Sequence, residues 1–383
     1  MKKNLFKLFC LLAVISITTI SCDKDDDNDD DANQFDPTDF KGELDSGVLT
    51  LDASQIYNLT GLFYVNDGAE LAIPAGTRIE ATGGTSAAII VNQGGKITID
   101  GTADEPVVMT SGLDNKKAGD WGGLVICGQA ICNSGGGMSE VGDSPYGGDI
   151  DDDDSGSIRY LRIEYSGAAF NSEKEYNGFS LFGVGSGTTI EYVQIYMGAD
   201  DGVEFYGGSV KANYIISTHN EDDQFDWTQG WTGGGENWYG MLDSGYGNRG
   251  IEADNWSNDH EAEPYASPVI SNLTLIGAGD QGNEPQGMEL RRGTKGIFDN
   301  VVIKNWKHGI RVTDDKTVEW MGNGLELTNV KFIDCITDVY ARDSEENEVE
   351  IPDGFISIDE DATGAGAGTD LPEWAKGWTI GLE

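Results

Sequence analysis

The sequence predicts an all-β chain built as a solenoid with long glycine-rich loops. Glycine supplies 54 of the 383 residues, apolar residues alternate in short runs, and a 3.6-residue helical period is almost absent. The third observation is decisive, because the short runs recur in two columns.

The chain opens with MKKNLFKLFCLLAVISITTISC, in which Lys2, Lys3 and Lys7 precede an apolar run from Leu8 to Ile15. Residues 1–21 therefore read as a secretory leader, too short to span a bilayer comfortably. Thr19-Ile20-Ser21-Cys22 resembles a lipobox with threonine where leucine is commonest, which marks Cys22 as the expected lipidation site. Residues 22–45 then form an expected tether, because DKDDDNDDD can bury nothing and must be solvated. Loss of the leader's three lysines moves the formal charge from −43 to −46. That balance excludes a nucleic-acid partner, which needs a basic face, and favours cations or basic partners. Cys127 and Cys132 in LVICGQAICN are close enough for a local disulfide in an oxidising compartment.

Residues 46–383 are expected to form one elongated domain. The first column is Tyr160-Leu161-Arg162-Ile163, Tyr192-Val193-Gln194-Ile195, Asn213-Tyr214-Ile215-Ile216, Asn272-Leu273-Thr274-Leu275, Asn300-Val301-Val302-Ile303 and Asn329-Val330-Lys331-Phe332. Its recurring asparagine suits a stacked internal amide ladder. The second column is Phe179-Ser180-Leu181, Val203-Glu204-Phe205, Phe225-Asp226-Trp227, Ile251-Glu252-Ala253, Met288-Glu289-Leu290, Ile310-Arg311-Val312 and Val339-Tyr340-Ala341. Its members lie 22 to 37 residues apart, as coil-stacking repeats do. The first column is blurred between Trp238 and Leu242, and the rungs before residue 120 are harder to register.

Within the second column, side-chain alternation points Glu204, Asp226, Glu252 and Glu289 outward, about 4.8 Å apart on neighbouring coils. Like charges so stacked repel, so a compensating partner is expected. Asp200, Asp201, Asp222 and Asp223 in the preceding loops add oxygen donors for Ca²⁺. Arg249, Arg291, Arg292 and Arg311 are the alternative counter-charges. Three histidines and no suitable Cys/His spacing argue against zinc. Trp231 in FDWTQGWTGGGENWYG is the aromatic assigned to a ligand face together with Arg291 and Arg311, whereas Trp227 points inward by parity. The acidic insert GGDIDDDDSG matches no EF-hand loop and reads as a solvated turn.

The segments KITIDGTADEPVVMTS, GDWGGLVICGQA, RYLRIEYSG, DDGVEFYGGSV, FDWTQGW and EWAKGWTIG, in that order, resemble the right-handed parallel β-helices of the pectate-lyase-like superfamily. More narrowly, they resemble a group of Bacteroidota surface lipoproteins largely without an assigned activity. The resemblance implies a lipid anchor in the outer membrane with the domain exposed at the cell surface, where the acidic tract after Cys22 resembles an export signal. The closing WAKGWTIGLE resembles no type IX sorting module, so lipidation is the expected anchor, and it holds stably when the cysteine is multiply acylated.

Two function classes follow. One is a non-catalytic, Ca²⁺-holding binding module for a glycan or an outer-membrane or extracellular partner, with an adhesin or structural coat differing mainly in partner. The other is a polysaccharide lyase or hydrolase acting on acidic glycans. Lyase resemblance would use Glu204, Asp226 and Glu252 for Ca²⁺ and Arg291 or Arg311 as base, yet no local motif singles out that base. A polygalacturonase-like site would need Gly-His-Gly and Arg-Ile-Lys, and His308 in KHGIR supplies neither. Catalytic residues are therefore unassigned, and binding is the expected function.

Overall fold

The computed structural model describes residues 35–170, 174–242 and 247–382. The leader, Cys22 and the acidic tract lie outside the described residues. Among the described residues, 24 strands join through parallel pairings into one network, and Gly137–Met138 pairs antiparallel with Pro145–Tyr146 outside it. The architecture is a right-handed parallel β-helix, as predicted.

Each regular coil has three faces, because its first strand bends in the middle. Strand Gly156–Glu164 pairs with Lys96–Asp100 before Tyr160 and with Val107–Ser111 after it. Tyr160 itself turns at φ +50°. The same left-handed corner recurs at Tyr192, Tyr214, Asn237, Asn272, Asn300 and Asn329, with φ from +55° to +65°. Asparagine tolerates that region because its short amide bonds locally. The amide ladder is present on this edge: Asn272 Nδ2 donates to Asn237 Oδ1 at 3.2 Å, and Asn300 Nδ2 to Asn272 Oδ1 at 2.8 Å. Tyr160, Tyr192 and Tyr214 continue it as rings stacked 4.4 Å apart. Two expectations are corrected here. Tyr214 holds the corner where Asn213 was placed, since Val193 pairs with Ile215. Asn237 supplies the rung that the sequence blurred, since Trp238 pairs with Leu273.

The third face carries the second column in the expected register. Phe179, Val203, Phe225, Ile251, Met288, Ile310 and Val339 pair in succession. Their inward neighbours fill the lumen, where Phe205 stacks on Trp231 at 4.0 Å and Phe225 on Trp238 at 4.7 Å. Trp231 is thus corrected from a ligand-face residue to core. It is fully buried and its indole N–H donates to the Val210 carbonyl at 3.1 Å, which satisfies the one polar atom of a large apolar side chain.

The tether boundary also moves. The folded unit starts at Phe35 and not at residue 46. Strand Phe40–Leu44 pairs with Ile56–Val65, and the buried Phe40 stacks on Phe63 at 4.2 Å. These apolar side chains close the first coil, as terminal caps of a solenoid must.

Outward does not mean exposed on this molecule. Outward Ile90, Val125, Cys127, Phe182 and Tyr206 form a second apolar cluster with Cys132, Val141 and Tyr146 from the segment that follows Cys127. The C-terminal segment runs back across the middle face: Ala365 N donates to Thr274 Oγ1, and Arg162 donates to the Trp378 carbonyl, both at 3.0 Å. The expected disulfide is corrected by the first of these covers. Cys127 and Cys132 are free, buried thiols, each spent on apolar packing, with Cys132 Sγ 3.4 Å from the Tyr206 carbonyl. Burial pushes both thiols up to about 12, which leaves no reactive thiolate at neutral pH. Iodoacetamide labelling followed by peptide mass mapping is therefore expected to leave both untouched in the native chain and to modify both after denaturation. A Cys127–Cys132 linked peptide in the unreduced digest would contradict this.

Candidate metal centre

The acidic column is built from one five-residue unit used on successive coils. Tyr176-Asn177-Gly178-Phe179-Ser180, Asp200-Asp201-Gly202-Val203-Glu204, Asp222-Asp223-Gln224-Phe225-Asp226, Asn248-Arg249-Gly250-Ile251-Glu252 and Pro285-Gln286-Gly287-Met288-Glu289 lie one above another. The fourth residue of each unit points into the lumen and the fifth points out. Gly202 lets the loop close against its neighbour, since a Cβ there would lie 1.9 Å from Ser217 Oγ. Fully buried Asn220 sets the two acidic loops together: its Oδ1 accepts from Gly198 N at 2.7 Å, and its Nδ2 donates to Gln224 Oε1 at 3.0 Å.

The eight expected metal ligands divide into two groups. Asp200, Asp201 and Asp222 bring carboxylate oxygens within 4.8 Å of one another, and so do Asp201, Glu204 and Asp226, with Asp201 common to both sets. Asp201, Glu204 and Asp226 are buried. Glu204 accepts from Asn177 Nδ2 and the Tyr206 hydroxyl, Asp201 Oδ1 accepts from Asp223 N at 2.9 Å, and Asp222 accepts from Asn248 Nδ2. Among the described residues no cationic side chain pairs with any of these five carboxylates, and Asp226 has no hydrogen-bonding side chain at all.

The other three are corrected, because arginine already compensates them. Arg249 stands one coil beyond Asp223, in the column position that Asp201 and Asp223 hold before it. Its guanidinium reaches Asp223 at 3.2 Å and Glu252 at 2.6 Å, and also pairs with Glu284 and Glu289. Glu252 further pairs with Arg291, and Glu289 with Arg311 at 2.9 Å. Arg291 and Arg292 hold Asp254 at 2.7 and 2.6 Å. Arg291, expected on a ligand face, thus belongs to this ion-pair network.

Protonation does not follow that division, since burial also pushes the arginine-paired Asp223 well above the usual carboxylate range. Burial first, and then neighbouring carboxylates, pushes Asp201, Glu204 and Asp226 well above the usual carboxylate range. Asp200 rises to about 8, through burial and then the charges of Glu175 and Asp222. The Coulombic contribution that adds to burial is sizeable: at an effective dielectric of about 20, two full charges within 4.8 Å of one another repel by at least roughly 3.5 kcal/mol. The donor set suits a hard cation. It is all oxygen, it carries excess negative charge, and the amide that donates to Asp222 leaves its own oxygen, Asn248 Oδ1, buried without a hydrogen-bond partner. Asn177, Tyr206 and Asn248 were absent from the expected site, whereas Arg249 was expected there as a counter-charge. The alignment of Asn-Arg-Gly-Ile-Glu beneath Asp-Asp-Gly-Val-Glu was the signal that could have found Asn248.

A three-faced parallel coil with its polar cluster on one outward strand column defines the class of right-handed β-helix proteins. The chain belongs, within that class, to the family described as the pectate-lyase like beta helix domain, whose model matches residues 42–379. Among solved structures it is similar to the catalytic unit of a thermostable GH87 alpha-1,3-glucanase from Streptomyces thermodiastaticus strain HF3-3. The identity is 12%, the TM-score 0.46, and the match covers 84% of this chain and 67% of that one. A comparison with curated protein sequences returned no match.

Proposed function

We propose that this β-helix is a carbohydrate-binding module of the cell surface, non-catalytic and anchored to the outer membrane through Cys22, with Ca²⁺ held by Asp200, Asp201, Glu204, Asp222 and Asp226. The observation that carries the metal reading is the asymmetry along one column. Arginine neutralises the coils of Glu252 and Glu289, whereas two neighbouring coils concentrate five carboxylates with no cation. Bound Ca²⁺ would supply that missing charge. The surface location is supported by the lipobox-like Thr19-Ile20-Ser21-Cys22 and the acidic tract behind it, and the glycan by the family. Binding is favoured over lyase chemistry because Arg249, Arg291 and Arg311 beside the cluster are each engaged by carboxylates, which opposes their use as a base. An outer-membrane protein as partner stands as the alternative to a glycan.

A second reading has one observation in its favour. Burial, and then the charges of Glu175 and Asp222, push the Asp200 carboxyl up to about 8, the direction that general-acid catalysis of glycoside hydrolysis calls for.

The test is calorimetric titration of Ca²⁺ into chelator-treated protein, with Asp201→Asn as the control because Asp201 serves both oxygen sets. Saturable heat that Asp201→Asn reduces at least about tenfold in affinity, the cost of one lost charged ligand, is expected. No heat at millimolar Ca²⁺ would refute the metal reading. New reducing ends released from a polysaccharide, and lost in Asp200→Asn, would select hydrolysis over binding.

A further inference from the structure

The closing EWAKGWTIG belongs to a strap, residues 363–382, that runs over the middle face without joining its sheet. Among the described residues no backbone hydrogen bond links this strap to a rung. Outward side chains of successive coils hold its main chain instead. Asn300 Oδ1 accepts from the Thr363 and Gly364 amides at 2.8 and 3.1 Å, and its Nδ2 donates to the Gly364 carbonyl at 3.2 Å. Thr274 Oγ1 accepts from Ala365 N at 3.0 Å and donates to the Gly368 carbonyl at 2.9 Å. Gln194 Nε2 donates to the Ile380 carbonyl at 2.8 Å, and its Oε1 accepts from Ile380 N at 3.0 Å. A side chain that bonds the strap in both directions repeats the bonding of a neighbouring strand, so it reads backbone and not sequence.

Two indoles add the sequence preference. Trp374 stands edge-on to Tyr214 at 5.3 Å, and Trp378 edge-on to Tyr160 at 5.6 Å and Tyr192 at 6.4 Å, over the stacked tyrosine corner. Trp378 is fully buried, and with Ala365 and Ala375 it forms one apolar cluster on Ile216 and Tyr239 of the rungs. The polar atoms of both indoles are satisfied inside the strap: Trp374 Nε1 donates to the Ala365 carbonyl and Trp378 Nε1 to the Trp374 carbonyl, each at 2.9 Å. The strap therefore brings its own hydrogen-bonded shape to the face. Neither the rung ladder nor the lumen core includes any strap residue.

A segment held by side-chain clips and one apolar cluster can leave without opening the sheet. We propose that the middle face is a groove for an extended polypeptide, and that the strap of a second copy of this chain takes the place of the resident one, linking two copies by reciprocal exchange. The groove fits that occupant closely. A Cβ at position 364 would lie 2.2 Å from Thr274 Oγ1 and one at position 381 would lie 2.2 Å from Tyr196 Cε2, so it admits a chain with glycine at both places and the two tryptophans between. The strap is long enough to cross to a neighbour, spanning about 65 Å when extended. Its contacts are the same in either copy, so exchange costs only the entropy of association. The inference uses neither the cation nor the glycan of the proposed function.

Fluorescence anisotropy tests the groove, with a labelled peptide of residues 363–382 standing for the second copy's strap and the full chain as receptor. Two receptors carry a loosened strap over an unaltered groove: Trp374→Ala with Trp378→Ala, and Ile380→Pro, which removes the N–H that Gln194 accepts. Each is expected to bind the peptide at least about tenfold more tightly than wild type does, because its resident strap competes less. A peptide with both tryptophans replaced by alanine is expected to bind about tenfold more weakly, and Gln194→Leu in a loosened receptor to lose about the same factor. No binding to either loosened receptor at millimolar peptide, or equal binding of the alanine peptide, would overturn the groove. Exchange itself is read by light scattering after wild-type chain is warmed at high concentration. A dimer is expected, and Trp378→Ala should reach its equilibrium about tenfold faster without changing the dimer's share, because both forms hold the same contacts. Absence of a dimer, or one that forms at the wild-type rate in Trp378→Ala, would overturn the exchange.

Discussion

Arg249→Ala is expected to destabilise the folded chain by about 3–5 kcal/mol, the cost of stranding a buried carboxylate by removing its partner. The effect is large because Arg249, itself only 6% exposed, serves Asp223, Glu252, Glu284 and Glu289 at once. Its removal leaves Glu289 with Arg311 alone and Asp223 with no cation. Urea rather than guanidinium denaturation checks this, since a salt denaturant screens the charges in question. The double variant Arg249→Met, Asp223→Asn should recover part of the loss, because it removes the carboxylate that Arg249 alone neutralises along with the arginine. A wild-type urea midpoint for Arg249→Ala would mean that water, not arginine, carries the balance there. A solenoid can unfold in parts, so amide exchange of strands Ile251–Asp254 and Gln286–Arg291 should localise the damage.

The second large effect is the pH dependence of the metal-free protein. A carboxyl whose pKa is raised on folding holds its proton more tightly in the native chain. Its contribution is therefore fully present below the unfolded value and disappears as pH rises through the folded one. For Asp200 that window runs from 3.8 to about 8, and Asp201, Glu204 and Asp226 shift in the same direction. In chelator the thermal midpoint is expected to fall between pH 5 and pH 8.5. Asp226→Asn should be more stable than wild type at pH 8.5 and similar to it at pH 5, because it removes a charge without a partner. Ca²⁺ at one hundred times its dissociation constant would return about 2.7 kcal/mol to the wild type at pH 8.5 and much less to Asp226→Asn. A wild-type midpoint that rises from pH 5 to pH 8.5, with Asp226→Asn parallel to it, would show that these groups ionise without penalty.

Much of this was legible in the sequence. Parity and repeat spacing placed Phe179, Val203, Phe225, Ile251, Met288, Ile310 and Val339 on one ladder, and the register holds at every rung. The acidic members were rightly placed outward. Their burial was not legible, because it depends on which segments fold back over that face. Outward apolar residues such as Ile90 and Val125 were the available hint of a cover. Trp231 misled for a related reason: an aromatic in a glycine-rich loop reads as surface until the loop is seen to tuck it between Phe205 and Trp227.

Local pattern, then, was determined by the sequence alone. A two-residue side-chain period and a recurring coil length specify a parallel coil, its inward and outward residues and the order of its columns, because strand geometry leaves no other solution. Which outward charges are compensated was decided only by the tertiary structure. Coulombic pairing depends on distances of a few ångströms between side chains from different coils. Those distances put Arg249 among four acids and left Asp200, Asp201, Glu204, Asp222 and Asp226 to one another.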